Sequence, residues 1–451
     1  MSNKKIILPT SINSQKISFL HKIHQKKVFY ERKNRKMSSY IIEGGKRLIG
    51  ETYVSGSKNA SLPIMAASIL NKGLTKLYNV PNIHDTQMMI EILKSLGCKV
   101  KKNKNKVTID SRNISKFEIP ENLMHQMRSS VIFAGAILGR YKKAVFSYPG
   151  GCDIGARPID LHLKAFEKLG VKIDKNYGKI NCEAKEITPT DINLDFPSVG
   201  ATENIMLVAV LGKGTTQIIN AAMEPEIVDL QKFLNAMGAK ITGAGTNIIK
   251  IQGVNSLKNL SYNIMPDRIE AGTLLGATAI TGGEIVLKNV EISHIAPVID
   301  KLEEMGCEIE LKNKEIKLKA PKKLRAIDIK TMPYPGFPTD MQAIMGACLT
   351  VSNGTSIITE NIFENRFKYL TELQKMGAKV KLEGKNAIVK GTKKLYGTKV
   401  MATDLRGGAS MVLAGLVAKG TTKIDNIEYI LRGYENLDEK LNSLGAKIYK
   451  V

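Results

Sequence analysis

The chain has 451 residues, too many for one ordinary core, with 43% apolar and 24% charged residues, as in globular proteins. Its net charge of +25 comes from 67 basic against 42 acidic residues, yet only 12 of the basic ones are arginine and the lysines are scattered through nearly every segment. Scattered lysine, no tryptophan and 6% aromatic content argue against a nucleic-acid partner, which calls for clustered cations and stacking rings.

The five cysteines (98, 152, 182, 307 and 348) are odd in number and show no CxxC spacing. A disulfide framework or zinc site is therefore not expected, and a reducing, cytoplasmic setting is. No apolar run is long enough to span a bilayer, and the basic amino terminus lacks the apolar stretch of a signal peptide, so stable membrane insertion is not expected.

Residues 1–36 carry ten Lys or Arg against one acidic residue, Glu31, without a sustained period. They read as a basic, disordered tail through residue 37, with Met37 as an alternative start. Beyond residue 40 one phrase recurs six times: an amphipathic segment, Leu or Met, Gly, then a short strand. Its glycines are Gly97, Gly170, Gly238, Gly306, Gly377 and Gly445, spaced by 73, 68, 68, 71 and 68 residues. Each suits the left-handed position that ends a helix. A second phrase, such as Lys-Gly-Thr-Thr-Gln-Ile at 213–218, keeps the same period. A repeat near seventy residues is longer than a solenoid unit, so each copy reads as a small α/β unit, and six copies as two domains of three. The last unit is short and strands at 40–55 precede the first, so the two ends are expected to complete one unit together.

Chemistry is expected where the sequence departs from the repeat. Ser55-Gly56-Ser57-Lys58-Asn59-Ala60 precedes an apolar helix, expected at 61–70. A lysine there opposes the helix dipole but makes a good anion site; Ser57 or Asn59 also suits a cap. Pro149-Gly150-Gly151-Cys152-Asp153-Ile154-Gly155-Ala156-Arg157-Pro158 is a shaped loop presenting a thiol near a guanidinium, either a reactive group or a plain glycine turn. Thr331–Asp340 packs three prolines before a helix expected at 341–350. It holds Asp340 as a candidate general base, although a helix cap at Thr339 or Asp340 is the better local reading. With arginine so scarce, Arg128, Arg157, Arg268, Arg366, Arg406 and Arg432 are candidates for forked recognition of carboxylate or phosphate. Together with Lys58 they point to a doubly anionic substrate between two domains. His162 has no metal-ligand spacing and reads as structural.

Taken together, Ser-Gly-Ser-Lys-Asn-Ala, Pro-Gly-Gly-Cys-Asp-Ile-Gly-Ala-Arg-Pro-Ile-Asp-Leu-His, Phe-Pro-Ser-Val-Gly-Ala-Thr-Glu-Asn, Pro-Asp-Arg-Ile-Glu, Phe-Pro-Thr-Asp-Met-Gln, Phe-Glu-Asn-Arg-Phe, Asp-Leu-Arg-Gly-Gly-Ala-Ser and Arg-Gly-Tyr-Glu resemble the UDP-N-acetylglucosamine enolpyruvyl transferase family over residues 38–451. The resemblance implies an α/β fold of two inside-out barrel domains built from six βαβαββ repeats. One domain is expected at 58–265, the other at 38–57 plus 266–451. It also implies transfer of enolpyruvate from phosphoenolpyruvate to the sugar 3′-hydroxyl of UDP-N-acetylglucosamine, the first committed step of peptidoglycan synthesis, with no cofactor and no metal.

Carried over by motif, Lys58, Arg157, Arg406 and Arg432 hold the phosphate and carboxylate, supported by Arg128. Asp340 takes the hydroxyl proton. Cys152, on a closing lid, is the proton donor and the target of fosfomycin. Asn59 and Arg366 line the cleft, while Arg157, Pro158, Ile159, Asp160, Leu161, Ser198, Val199, Gly200, Asp340 and Ile362 contact the nucleotide sugar. Phe196 stands where some members carry lysine, and Gly407-Gly408 replaces a bulkier pair. Neither oligomeric state nor regulation follows from the sequence.

Overall fold

The computed structural model describes residues 38–150, 154–155 and 158–451. Cys152 and Arg157, like residues 1–37, lie outside that set. Among the described residues, the repeat signalled by the six glycines is realised as six small sheets, five of four strands and one of three, and none closes on itself. In the four-stranded sheets, a pair of antiparallel strands from one repeat pairs with two further strands, one of them parallel. The sheet built on Lys143–Ser147 has three strands, its fourth position reduced to a single parallel bridge between Glu118 and Val145. The six glycines all have positive φ, from 83° to 107°, and each follows a helix. A side chain there would be strained, which is why the repeat keeps glycine.

Each repeat contributes one core helix: α1 (Lys58–Ala67), α2 (Ile132–Tyr141), α3 (Val199–Ala209), α4 (Arg268–Thr281), α5 (Thr339–Leu349) and α6 (Leu405–Val417). These helices are rich in Ala, Gly, Leu and Ile and are buried on nearly every side, as a helix without a polar face must be. The strands instead alternate buried and exposed residues, as in Thr215–Ile219 and Thr355–Thr359, so each sheet turns one face to water. The architecture is therefore helices within and sheets without. Many scattered lysines, among them Lys240, Lys250, Lys379, Lys381, Lys399 and Lys423, are exposed positions of these strands. The high net charge is thus spread around the molecule rather than gathered on one face.

The apolar side chains form two separate cores. One gathers residues between Ala60 and Ile264 around α1, α2 and α3; the other gathers Tyr40 to Val54 and Ile269 to Ile448 around α4, α5 and α6. Close packing inside each depends on glycine at helix contacts. A Cβ on Gly135 of α2 would come within 2.3 Å of Asn204 Oδ1 on α3, whose oxygen accepts from Gly135 N at 2.8 Å.

The chain crosses between the cores twice, at residues 54–57 and 264–267, and the crossings are bonded to each other. Ser57 N donates to Met265 O (2.7 Å), Asp267 N donates to Ser55 O (2.9 Å), and Gly56 bridges Pro266. The two ends of the described chain meet as the short last repeat requires. Ser39–Glu43 lies between Thr421–Asp425 and Ile448–Lys450, antiparallel to both, and completes the sixth sheet. Ile42 of that strand is fully buried, whereas Tyr449 on the neighbouring strand is half exposed. Ile42→Ala should therefore lower the unfolding free energy by about 2–5 kcal/mol, read by urea denaturation. Tyr449→Ala should change it by less than about 1 kcal/mol.

Candidate active site

The core helices of both bodies begin at a single cleft with about 680 Å³ of open space. Residues at or just before the first turn of all six line it: Lys58 and Asn59, Val131 and Ile132, Ser198 to Gly200, Arg268, Pro338 to Asp340, and Asp404 to Arg406. A helix amino terminus presents unpaired N–H groups and the positive end of its dipole. Four of the six starts are capped, by Ser57, Ser198, Asp267 and Asp404, so it is chiefly the cationic side chains placed there, with the dipole ends behind them, that favour an anionic ligand.

The α1 start is capped by Ser57, whose Oγ accepts from Ala60 N at 3.2 Å. The helix begins at Lys58, three residues before the expected start, and Lys58 N donates to Asp267 Oδ2 (3.0 Å). The Lys58 ammonium, set against the helix dipole, is neutralised by Asp85 at 3.0 Å. Asp85 comes from the first turn of the helix His84–Ser95 and also receives Arg432, with Nε at 2.9 Å and Nη2 at 3.3 Å. Its side chain is 3% exposed. Burial alone would raise the Asp85 pKa, but Lys58 and Arg432 together outweigh it and hold the carboxylate below its usual range.

Asp340 is clamped in the same way. Arg366 Nη2 donates to Oδ1 at 2.8 Å, and Arg406 Nη2 donates to Oδ2 at 2.9 Å. Burial again pushes the pKa upward; Arg406 and Arg366, helped by Lys58, overcome it and keep Asp340 far below the ordinary range. The local expectation of a helix cap here is corrected. Helix α5 starts at Thr339 after Pro338, without a side-chain cap. Thr339 Oγ1 donates instead to Glu360 Oε2 (2.9 Å), and Asp340 faces the arginines. Pro338, at the cap position, has no side-chain acceptor, and two guanidiniums outcompete a backbone amide for the Asp340 carboxylate. Arg406 is fixed at the start of α6, where Asp404 Oδ1 accepts from its N–H (3.0 Å), and its guanidinium lies 5.2 Å from the Tyr434 ring centre. Arg366 Nε and Arg406 Nη1 are buried and find no acceptor among the described residues.

The opposite wall carries Ser198, which caps α3, with Val199 and Gly200 after it. His162 lies against Gly200. Asn204 Oδ1 accepts from Gly135, so its amide nitrogen faces His162 Nδ1 at 2.7 Å, which makes Nδ1 the acceptor. Burial, with Arg128 next, pulls the His162 pKa down to about 4, so the ring is neutral near pH 7 and structural. Beside it, Glu203, Glu224, Glu226 and Arg268 line the wall, and Arg268 Nε pairs with Glu226 at 3.0 Å. Burial, then Glu226 and Glu224, pushes Glu203 well above the ordinary carboxyl range.

Of the residues expected at the site, Lys58, Asn59, Arg128, Pro158, Asp160, Leu161, Ser198, Val199, Gly200, Asp340, Ile362, Arg366, Arg406 and Arg432 all line the cleft. Ile159 is buried next to it, at the start of the helix Asp160–Lys168. Cys152 and Arg157 fall outside the described residues. Their neighbour Ile154 lines the cleft, and its carbonyl accepts from Asn365 N at 3.2 Å, across the two bodies. Among the acidic residues of the cleft, Asp85, Asp195, Glu203, Glu224, Glu226, Glu364 and Asp404 were given no role by sequence reasoning. Asp85 looks like any acid in a first helical turn, and its partner Arg432 is 347 residues away. Among the described residues no cluster of three His, Cys, Asp or Glu is placed to hold a metal, and no helix is long and apolar enough to cross a membrane.

The sequence model of the family described as EPSP synthase (3-phosphoshikimate 1-carboxyvinyltransferase) matches residues 42–441. Among solved structures, the enolpyruvyl transferase NikO from Streptomyces tendae aligns with a TM-score of 0.83 and 25% identity, over 92% of this chain and 99% of its own. EPSP synthase from Acinetobacter baumannii aligns with a TM-score of 0.73 and 19% identity, over 92% and 100%. The fold is that of the enolpyruvyl transferases. A protein of Caldanaerobacter subterraneus named UDP-N-acetylglucosamine 1-carboxyvinyltransferase 2 is 53% identical over 92% of this chain and all of its own length. One of Geobacter metallireducens, named UDP-N-acetylglucosamine 1-carboxyvinyltransferase, is 48% identical over 92% and 100%. The chain belongs to the family of UDP-N-acetylglucosamine 1-carboxyvinyltransferases.

Asp85 bonds two cations from different bodies, so its charge should matter to stability. Its folded pKa is depressed, so its contribution is complete above the unfolded value of about 3.9 and is lost as pH falls through the folded value. Asp85→Asn should cost about 3 kcal/mol at pH 7, and that cost should shrink below about pH 4. Urea midpoints of both proteins from pH 3 to pH 7 check this.

Proposed function

We propose that the cleft transfers enolpyruvate from phosphoenolpyruvate to the 3′-hydroxyl of UDP-N-acetylglucosamine, releasing phosphate, in the cytoplasm and at the start of peptidoglycan synthesis. The observation that carries the reading is the ring of helix amino termini and cations, Lys58, Arg128, Arg366, Arg406 and Arg432, around one cleft. A nucleoside diphosphate and a phosphorylated carboxylate together bring the charge such a site accepts. The names of the relatives give the acceptor and the transferred carboxyvinyl group, and phosphoenolpyruvate is the donor we propose.

In this reading the two bodies, 58–265 and 38–57 with 266–451, are domains that close on the substrates. Lys58 and Arg432 bind the anionic groups of phosphoenolpyruvate, with Arg406 and Arg157 completing the set and Arg128 beside them. Nucleotide-sugar contacts come from the segment 157–161, Ser198 to Gly200, Asp340 and Ile362, with Asn59 and Arg366 lining the cleft. The sugar hydroxyl oxygen bonds to C2 of phosphoenolpyruvate and its proton passes to Asp340. The C2–C3 π electrons take a proton at C3 from Cys152. The tetrahedral intermediate then loses a C3 proton, restores the double bond and expels phosphate.

Asp340 sits between two arginines that depress its basicity. It becomes a useful base only when a substrate anion draws Arg406 or Arg366 toward itself. The buried Arg366 Nε, which has no acceptor among the described residues, is a donor suited to that exchange. Substrate binding and base activation are in this way one event.

The test is phosphate release from phosphoenolpyruvate with UDP-N-acetylglucosamine as acceptor and shikimate 3-phosphate as control. Release with the first alone supports the reading, and release with the second alone contradicts it. Cys152→Ala should slow turnover by about 10²–10⁴-fold, the usual contribution of a placed general acid. Cys152→Asp should keep activity but escape fosfomycin.

A further inference from the structure

Behind the cleft lies a buried ion pair that the reaction does not use. Lys440 Nζ donates to Glu270 Oε1 and to Ser55 Oγ, the latter at 2.6 Å, and Ser55 N donates to Glu270 Oε2 at 3.1 Å. Lys440 is 6% exposed and Glu270 3%. The ammonium also lies 4.8 Å from the Tyr53 ring centre. A buried pair of this kind is weak evidence of stabilisation, because desolvation offsets most of the attraction and apolar replacements often do as well. Its value has to be sought in what it connects.

Three segments meet at the pair. Ser55 belongs to the crossing that leads directly into Lys58. Glu270 is on the first turn of α4, whose cap, Asp267, accepts from Lys58 N. Lys440 is on the helix Leu437–Ser443, which follows Arg432 along the chain. The segment that leads into Lys58 and the helix that begins five residues after Arg432 are thus bonded through Ser55, Glu270 and Lys440, while Asp85 joins the two cations themselves.

We propose that Lys440 and Glu270 are positioning residues that set the spacing of Lys58 and Arg432, and with it the affinity of the anion subsite. The pair acts through the hinge and touches no substrate. This inference rests on the reading of Lys58 and Arg432 as an anion site.

The experiment compares wild type with the double variant Lys440→Met, Glu270→Gln. The glutamine keeps an acceptor for Ser55 N, and no unpaired charge is left buried. Inorganic phosphate is titrated calorimetrically, thermal unfolding is recorded, and steady-state kinetics are measured in both substrates. The double variant should melt within a few degrees of wild type or above it. It should bind phosphate at least about fivefold more weakly and raise KM for phosphoenolpyruvate by a similar factor, with kcat changed by less than about twofold. A folded double variant that binds phosphate as tightly as wild type overturns the proposal. If the double variant melts early, Lys440→Arg, which keeps the charge but alters its geometry, supplies the reading: weakened phosphate binding at wild-type melting temperature supports the proposal, and wild-type affinity overturns it. Because phosphate binding is read without turnover, wild type that fails to release phosphate from phosphoenolpyruvate contradicts the assigned reaction and leaves this inference separately decided.

Discussion

Two carboxylates, each held between two cations, organise this molecule: Asp85 is buried, and Asp340 keeps 28% of its side chain open at the cleft. Asp85 lies between Lys58 and Arg432, and Asp340 between Arg366 and Arg406. Four cations concentrated at one cleft repel each other, and burial denies them water, so they need internal counter-charges to be tolerated in the folded state. The same carboxylates occupy donors that an incoming anion needs. On the proposed reading, substrate binding exchanges one set of negative partners for another and frees Asp340 to take a proton.

The fold exists to bring those charges together. Each repeat begins its core helix at the cleft, so the six N-terminal dipole ends add to the positive side chains. The helices sit inside because they are apolar all round, and the sheets sit outside because only one face of each is apolar. Among the described residues two chain crossings, bonded side by side, join the bodies, and Asp85 with Arg432, Glu226 with Arg268, and Glu435 with Asn82 and Asn105 link them further. For the proposed reaction, two cores joined by a narrow hinge and polar contacts suit a cleft that opens to admit substrates and closes to exclude water.

Much of this was legible in the sequence because the repeat is strict. The glycine after each outer helix needs positive φ, so its period marks the units without reference to packing. Since the cleft is built from one recurring place, the start of each core helix, the motifs that departed from the repeat marked the site as well: Ser-Gly-Ser-Lys-Asn-Ala, Phe-Pro-Thr-Asp and Asp-Leu-Arg-Gly. Pairing across long sequence distances was not legible. Nothing near Asp85 distinguishes it from an ordinary first-turn acid, and nothing near Glu270 announces Lys440. At Asp340 local chemistry favoured a cap, and the tertiary approach of two arginines overrode it.

The central claim, that substrate anions displace the internal partners of Asp340, can be measured directly on that carboxyl group. With ¹³C-labelled aspartate and Asp340→Asn to assign the signal, its titration is followed in the free protein and with phosphate and UDP-N-acetylglucosamine bound. The account predicts a pKa far below the ordinary carboxylate range in the free protein and a rise when both ligands bind. A value that stays the same on binding would contradict it.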